Sequence, residues 1–155
     1  MEYWSELHIL VEVAVAMVLG GLIGWDRELA DKPAGLRTHM MVAGAAALLV
    51  GLGDALLARF ASGTETPTQS DPIRIVEAIV TGISFLGAGT IFRRDKDEQV
   101  EGLTTAASIL LSSSIGIAVA LRQWLLAVGV TLLALLVLRV APRFERRVAT
   151  KRPKR

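Results

Sequence analysis

The sequence predicts an all-α polytopic membrane protein, a bundle of five transmembrane helices with its N-terminus outside and its C-terminus cytoplasmic. Three observations predict it. Of the 155 residues 52% are hydrophobic with glycine left out of the count, and the mean hydropathy is +0.50, more apolar than soluble domains run. The apolar residues are gathered into five stretches of 18 to 20, Leu7–Trp25, Met40–Ala58, Ile73–Phe92, Leu103–Leu121 and Trp124–Ala141. A bilayer core of about 30 Å needs roughly 20 helical residues, and backbone in lipid must bond to itself. Most of the charge lies between the stretches. Of the 17 Lys and Arg residues, 14 fall on one side if the stretches cross in turn, leaving only Arg59, Arg74 and Arg122 on the other. The excess marks the cytoplasmic side.

The first span carries Glu2 and Glu6 ahead of its apolar run, with no basic leader and no small-x-small cleavage site. It reads as a retained helix capped by Ser5 rather than a signal peptide. The second span, Met40–Ala58, follows a charged turn that Pro33 and Gly35 break. Residues 60–70, polar and holding Pro67, read as an external loop. The third span, Ile73–Phe92, opens with Asp71 as cap and Pro72 in the first turn. Its Gly87-Ala88-Gly89 reads as helix packing or a helix break.

Small residues mark the packing faces. Gly20 and Gly24 form a GxxxG in the first helix, and Ala43, Ala47, Gly51 and Ala55 recur every fourth residue in the second. The third helix has Gly82, Gly87 and Gly89, and the fourth has Ser108, Ser112 and Gly116 at the same spacing. Such residues let backbones approach closely where lipid offers no hydrophobic drive. The serine run 112–114 is expected to bond a neighbouring helix. The fifth helix is leucine-rich and expected to be peripheral. Residues 142–155 are expected to be a basic cytoplasmic tail, able to lie on anionic lipid.

Several functions find no support. Zero cysteines exclude disulfides, thiolate metal sites and a cysteine nucleophile. Neither His8 nor His39 has a triad partner on its own side, and neither GxSxG nor a phosphate-cradling glycine loop occurs. The basic tail lacks aromatic support for nucleic-acid binding. The chain reads as a non-enzyme without cofactor or nucleic-acid partner. Its expected partners are the lipid bilayer, other membrane proteins and further copies of itself, in a homodimer or a larger assembly.

Two constellations carry the chemistry that remains. Glu12, Asp54 and Glu77 lie inside three different spans, each roughly 6–8 Å from the outer end by helix rise. They predict an outward-facing acidic vestibule for a hydrated divalent cation or a proton, Mg2+ being a hard cation that takes one or two carboxylates and keeps its waters. The competing expectation is that Asp54 and Glu77 snorkel to the interface, or that Arg74 pairs with Glu77 one turn away. On the cytoplasmic side Asp26, Arg27, Glu28, Lys32, Arg37 and His39 lie between the first two spans, and Arg93, Arg94 and Asp95 follow the third. Pairing between these loops would lock the helix ends; a partner surface or a gate is the other reading. His39, far from His8, is not expected to ligate metal.

Four blocks resemble the MgtC/SapB family: residues 21–28 (GLIGWDRE), 32–39 (KPAGLRTH), 81–93 (TGISFLGAGTIFR) and 102–108 (GLTTAAS). Asp71-Pro72-Ile73-Arg74-Ile75 also fits, and the likeness covers roughly residues 10 to 120 in order. The resemblance implies a bacterial inner-membrane protein of about five spans. It also implies a link to growth at low magnesium and to survival inside host cells, exerted partly through other membrane proteins, including the proton-driven ATP synthase. Direct magnesium transport is the alternative. The chain departs from the pattern at Asp26, where the family usually has Glu, at Ser84, often Gly, and at Leu110, where an aromatic is common. The pattern does not demand an acid at Glu77. Members of the magnesium-linked branch mostly add a C-terminal cytoplasmic domain, which the sequence to Arg155 does not include.

Overall fold

A computed structural model describes residues 2–61, 71–93 and 100–149. Five helices account for nearly all of them: α1 (Glu2–Leu29), α2 (Leu36–Ala61), α3 (Ile73–Ala88), α4 (Leu103–Ala120) and α5 (Trp124–Ala149). Between α3 and α4 lies one short hairpin, β1 (Phe92–Arg93) and β2 (Val100–Glu101), with Phe92 opposite Glu101 and Arg93 opposite Val100. Among the described residues, four helices (α1, α2, α4 and α5) are long and apolar enough to cross a bilayer.

The helices alternate in direction. Glu12 of α1, Asp54 of α2 and Arg122 after α4 share one end of the bundle. Asp26 of α1 meets Arg139 of α5 at the other. Within this frame α3 starts beside Gly53 of α2 through Ile75 and finishes beside Ala106 of α4 through Gly87. It therefore runs from the first end to the second with only 16 residues, roughly 24 Å of helix.

That length corrects the third predicted span. Ile73–Phe92 is helical only to Ala88. The N–H of Thr90 bonds the Gly87 carbonyl at 3.0 Å and that of Ile91 bonds Ala88 at 3.1 Å, a tightened last turn. The Thr90 hydroxyl also donates to Gly87 O, at 2.8 Å. Phe92 and Arg93 then leave as a strand, so the glycine pair ends the helix.

The other differences lengthen helices. Ser5 lies inside α1, which begins at Glu2, so it is not the cap. Asp26, Arg27 and Glu28 belong to α1, and Arg37 and His39 to α2, so much of the expected charged turn is helix. α5 continues through Pro142 to Ala149, over residues expected as tail. Two ends use non-glycine residues in the left-handed region. Asp31 (φ 53°) closes α1 and Arg122 (φ 57°) closes α4. In each case the crossed pair of terminal hydrogen bonds is present, Lys32 N to Arg27 O with Asp31 N to Glu28 O, and Gln123 N to Ala118 O with Arg122 N to Val119 O. At α3 the Asp71 carboxylate accepts the Ile73 N–H at 3.0 Å.

The core lies between α1, α2 and α4. Ala16, Leu19, Ile23, Ala43, Ala47, Ile115 and Val119 are buried there. The backbones nearly touch: a Cβ on Gly20 would lie 2.6 Å from His39 O, and one on Gly24 2.7 Å from Gly35 O. A Cβ on Gly116 would overlap the Ala43 carbonyl. A Cβ on Gly51 would lie 3.1 Å from Ile9, while one on Gly87 would make an ordinary contact with Ala106 at 3.4 Å. Gly82 and Gly89 depart from the expected packing role. Gly82 faces open space, and Gly89 meets only carbonyls of the turn before it. The serine run departs as well. Ser113 and Ser114 both donate to Leu110 O of their own helix, and buried Ser112 has no hydrogen-bond partner among the described residues. α5 packs on α1 and α4 and is the least buried of the four long helices.

Candidate functional site

At one end of the bundle a cavity of about 560 Å³ opens between α1, α2 and the α4–α5 turn, lined by Ser5, His8, Ile9, Glu12, Gly51, Asp54, Ala55, Ala120, Leu121 and Arg122. Glu12 forms its buried wall, 7% exposed, one turn before the buried Ala16. Its Oε1 accepts from Arg122 Nε at 3.1 Å. The reach depends on the turn that ends α4, where Arg122 takes the left-handed position usually given to glycine. A carboxylate at this depth needs a partner, and Arg122 supplies it from the solvent side.

Of the three acids expected to share a vestibule, the structure brings two to this cavity. Glu12 and Asp54 line it; Glu77, exposed on α3, does not. Among the described residues no group of three or more His, Asp or Glu side chains could hold a metal. What the cavity offers a cation is two carboxylates, one already engaged by a guanidinium.

The other end is held by a set of specific contacts. Glu28 Oε2 accepts the Leu36 N–H at 2.8 Å, so a carboxylate from the last turn of α1 caps the first turn of α2. It satisfies one free N–H and places negative charge at the positive end of the helix. Asp26 accepts from Arg139 Nε at 2.9 Å, tying α1 to α5. The expected partner for these acids was the 93–95 loop. Arg94 and Asp95 lie outside the described residues, as does the side chain of Arg93, whose backbone pairs with Val100. Lys32 and Arg37 are not buried, while Arg27 is 4% exposed and its Nε has no hydrogen-bond partner among the described residues.

His39 is completely buried. Its Nδ1 lies 2.8 Å from Gly35 O and its Nε2 lies 3.0 Å from Ser108 Oγ. A carbonyl only accepts, so Nδ1 carries the hydrogen. In the neutral ring Nε2 then accepts from the Ser108 hydroxyl, whose single hydrogen also has Thr105 O in reach at 2.8 Å and serves one acceptor at a time. The imidazole thus joins the first turn of α2 to α4 directly beneath Gly24 of α1, whose missing side chain leaves the room. Sequence reasoning placed His39 in a charged surface turn and missed this bond. The available signal was the pairing of two distant blocks, KPAGLRTH and GLTTAAS, each ending on one of the bonded residues.

Alternating apolar helices, a small-residue core and charged contacts at both ends define a multi-pass α-helical membrane protein of the bacterial inner membrane. Its family follows from comparison. The MgtC family profile matches residues 13–147, and the chain belongs to that family. It is similar to a Haemophilus influenzae protein, 36% identical over 97% of this chain and 63% of that one. It is also similar to Protein MgtC of Brucella abortus, 40% identical over 74% of this chain and 43% of the relative. The protein called "Putative magnesium transporter YhiD" in Escherichia coli is 32% identical over 93% of this chain and 65% of its own length. The chain thus spans about half to two thirds of the length of these relatives. No solved structure matches it.

Proposed function

We propose that the chain is a non-enzymatic, non-conducting membrane protein of magnesium homeostasis and low-magnesium or stress adaptation, which acts through other membrane proteins. The magnesium link rests on the names of the relatives. The observation that carries the rest is the contact of α1, α2 and α4 at Gly20, Gly24 and Gly116, which brings backbone against backbone below the cavity. Under Glu12 the space is filled by Ala16, Leu19, Ala47 and Val119, and beyond them His39 and Ser108 close the far end. A hydrated divalent ion sheds its waters reluctantly, and a path for one does not fit between touching backbones.

We read the topology as five passes with the N-terminus outside. The alternation of the helices supports it, as does the crowding of Lys and Arg at the Asp26–Arg139 end. α3 joins the two ends although shorter than a usual span. In that frame the Glu12–Asp54 cavity faces outward. The second reading is a divalent-cation or proton site or path at these carboxylates. It is favoured by the size of the cavity and the two acids that line it.

Growth of a deletion strain in limiting magnesium separates the readings. The strain is complemented with the wild-type protein or with Glu12→Gln, present in the membrane at equal level. The proposal predicts rescue by both. Loss of rescue with Glu12→Gln alone would favour the cation path.

A further inference from the structure

We infer that the outward face of α3 is the contact surface for a second copy of this chain, paired about a two-fold axis along the membrane normal. The inference rests on the five-pass reading of α3. Its inward side is apolar: Ile79 and Gly87 are buried, with Ile75, Val76 and Ile83 packed against the core. At 100° per residue, Arg74, Glu77, Thr81 and Ser84 lie on the opposite side, and all four are exposed. The exposed side of α3 also carries Ile73, Val80 and Phe85, so the four polar residues form a stripe within an apolar face. α1 presents Leu10 and Val18, and α5 presents Leu132, Leu133 and Leu136. Those suit lipid. An acid and a base on one stripe do not, and within a span such residues turn toward protein or water.

The occupant follows from charge. Neither Glu77 nor Arg74 takes part in an ion pair among the described residues. They stand three residues apart on one helix face, separated by about 4.5 Å along the axis. Two copies inserted in the same orientation bring their α3 helices side by side and parallel. Each Arg74 then reaches the Glu77 of the other copy, twice by symmetry. The hydroxyls add no unsatisfied donor, since Thr81 donates to Glu77 O and Ser84 to Val80 O, both at 2.7 Å. The face is self-complementary, and a different protein would need its own matching pair.

The chain has no cysteine, so single cysteines report proximity without a background. Thr81→Cys, at the centre of the stripe, and Leu133→Cys, on the lipid face of α5, are oxidised in native membranes. The inference predicts a disulfide-linked band at twice the chain mass for Thr81→Cys and none for Leu133→Cys. Adding Glu77→Arg to Thr81→Cys should abolish the band, and adding Arg74→Glu as well should restore it. A band of another mass would assign the face to a different protein and overturn the inference, as would doubling at both positions or survival of the band with Glu77→Arg. If Thr81→Cys gives no band, a water-soluble maleimide locates the failure. Labelling of the Thr81→Cys thiol in intact cells refutes the membrane placement of α3, and protection refutes the pairing alone.

Discussion

Arg122 Nε lies 3.1 Å from Glu12 Oε1 across 110 positions of sequence, and it gets there from a backbone φ of 57°. The left-handed position costs a side-chain-bearing residue roughly 1 kcal/mol relative to glycine. The ion pair and the α4–α5 turn are therefore coupled: the strained turn points the guanidinium at the buried carboxylate of the cavity at that end of the bundle.

The coupling orders the variants. Arg122→Ala keeps the unfavourable φ and strips Glu12 of its partner, whereas Arg122→Gly relieves the backbone and loses the same pair. Arg122 is 67% exposed at its side chain, so the pair is worth less than a fully buried one, on the order of 1–2 kcal/mol. Thermal unfolding in detergent should rank wild type above Arg122→Gly and Arg122→Gly above Arg122→Ala. Combining Glu12→Gln with Arg122→Gly should recover part of the loss, because no buried charge is then left alone.

Two buried serines one turn apart on α4 should respond in opposite ways. Ser108→Ala removes the partner of His39 Nε2 and should destabilise by about 1–3 kcal/mol. Ser112 is equally buried but its hydroxyl has no partner among the described residues. Ser112→Ala should be neutral or slightly stabilising. Unfolding midpoints of the two variants, measured side by side, check this; equal losses would contradict the assigned bond.

Glycines divide by what their missing Cβ would meet. Gly116→Ala drives a methyl group into the Ala43 carbonyl and should prevent the α2–α4 contact, seen as loss of the monodisperse protein after extraction. Gly102 (φ 91°) is required twice, since a Cβ there would also overlap Thr90 O. Gly82→Ala meets nothing in the single chain and should be tolerated by the fold.

Glu28 caps a helix from outside it. Glu28→Ala should cost about 1 kcal/mol, the usual loss for a cap. Glu28→Gln keeps an acceptor for Leu36 N–H but removes the charge, and should cost a few tenths at low salt. Salt-dependent unfolding that narrows the gap between Glu28→Gln and wild type would confirm the electrostatic part.

Helix existence was legible in the sequence because an apolar run near 20 residues has few other uses. Helix ends were less so. Asp26, Arg27 and Glu28 look like loop by charge, yet they continue α1, and Asp31 and Arg122 terminate helices where glycine would be the readable signal. For the acids, distance along a helix was readable and direction around it was not. Glu12, Asp54 and Glu77 have matched depth, but Glu77 projects from the far side of α3 and stays out of the cavity. The contacts of His39 with Ser108 and of Glu12 with Arg122 join residues 69 and 110 apart, which periodicity cannot pair.

Magnesium uptake by liposomes containing the purified protein tests the central claim most directly. A bundle closed by backbone contact below Glu12 predicts uptake no faster than in protein-free liposomes. Uptake that needs the protein and is abolished by Glu12→Gln or Asp54→Asn would contradict it and make the Glu12–Asp54 cavity the mouth of a path.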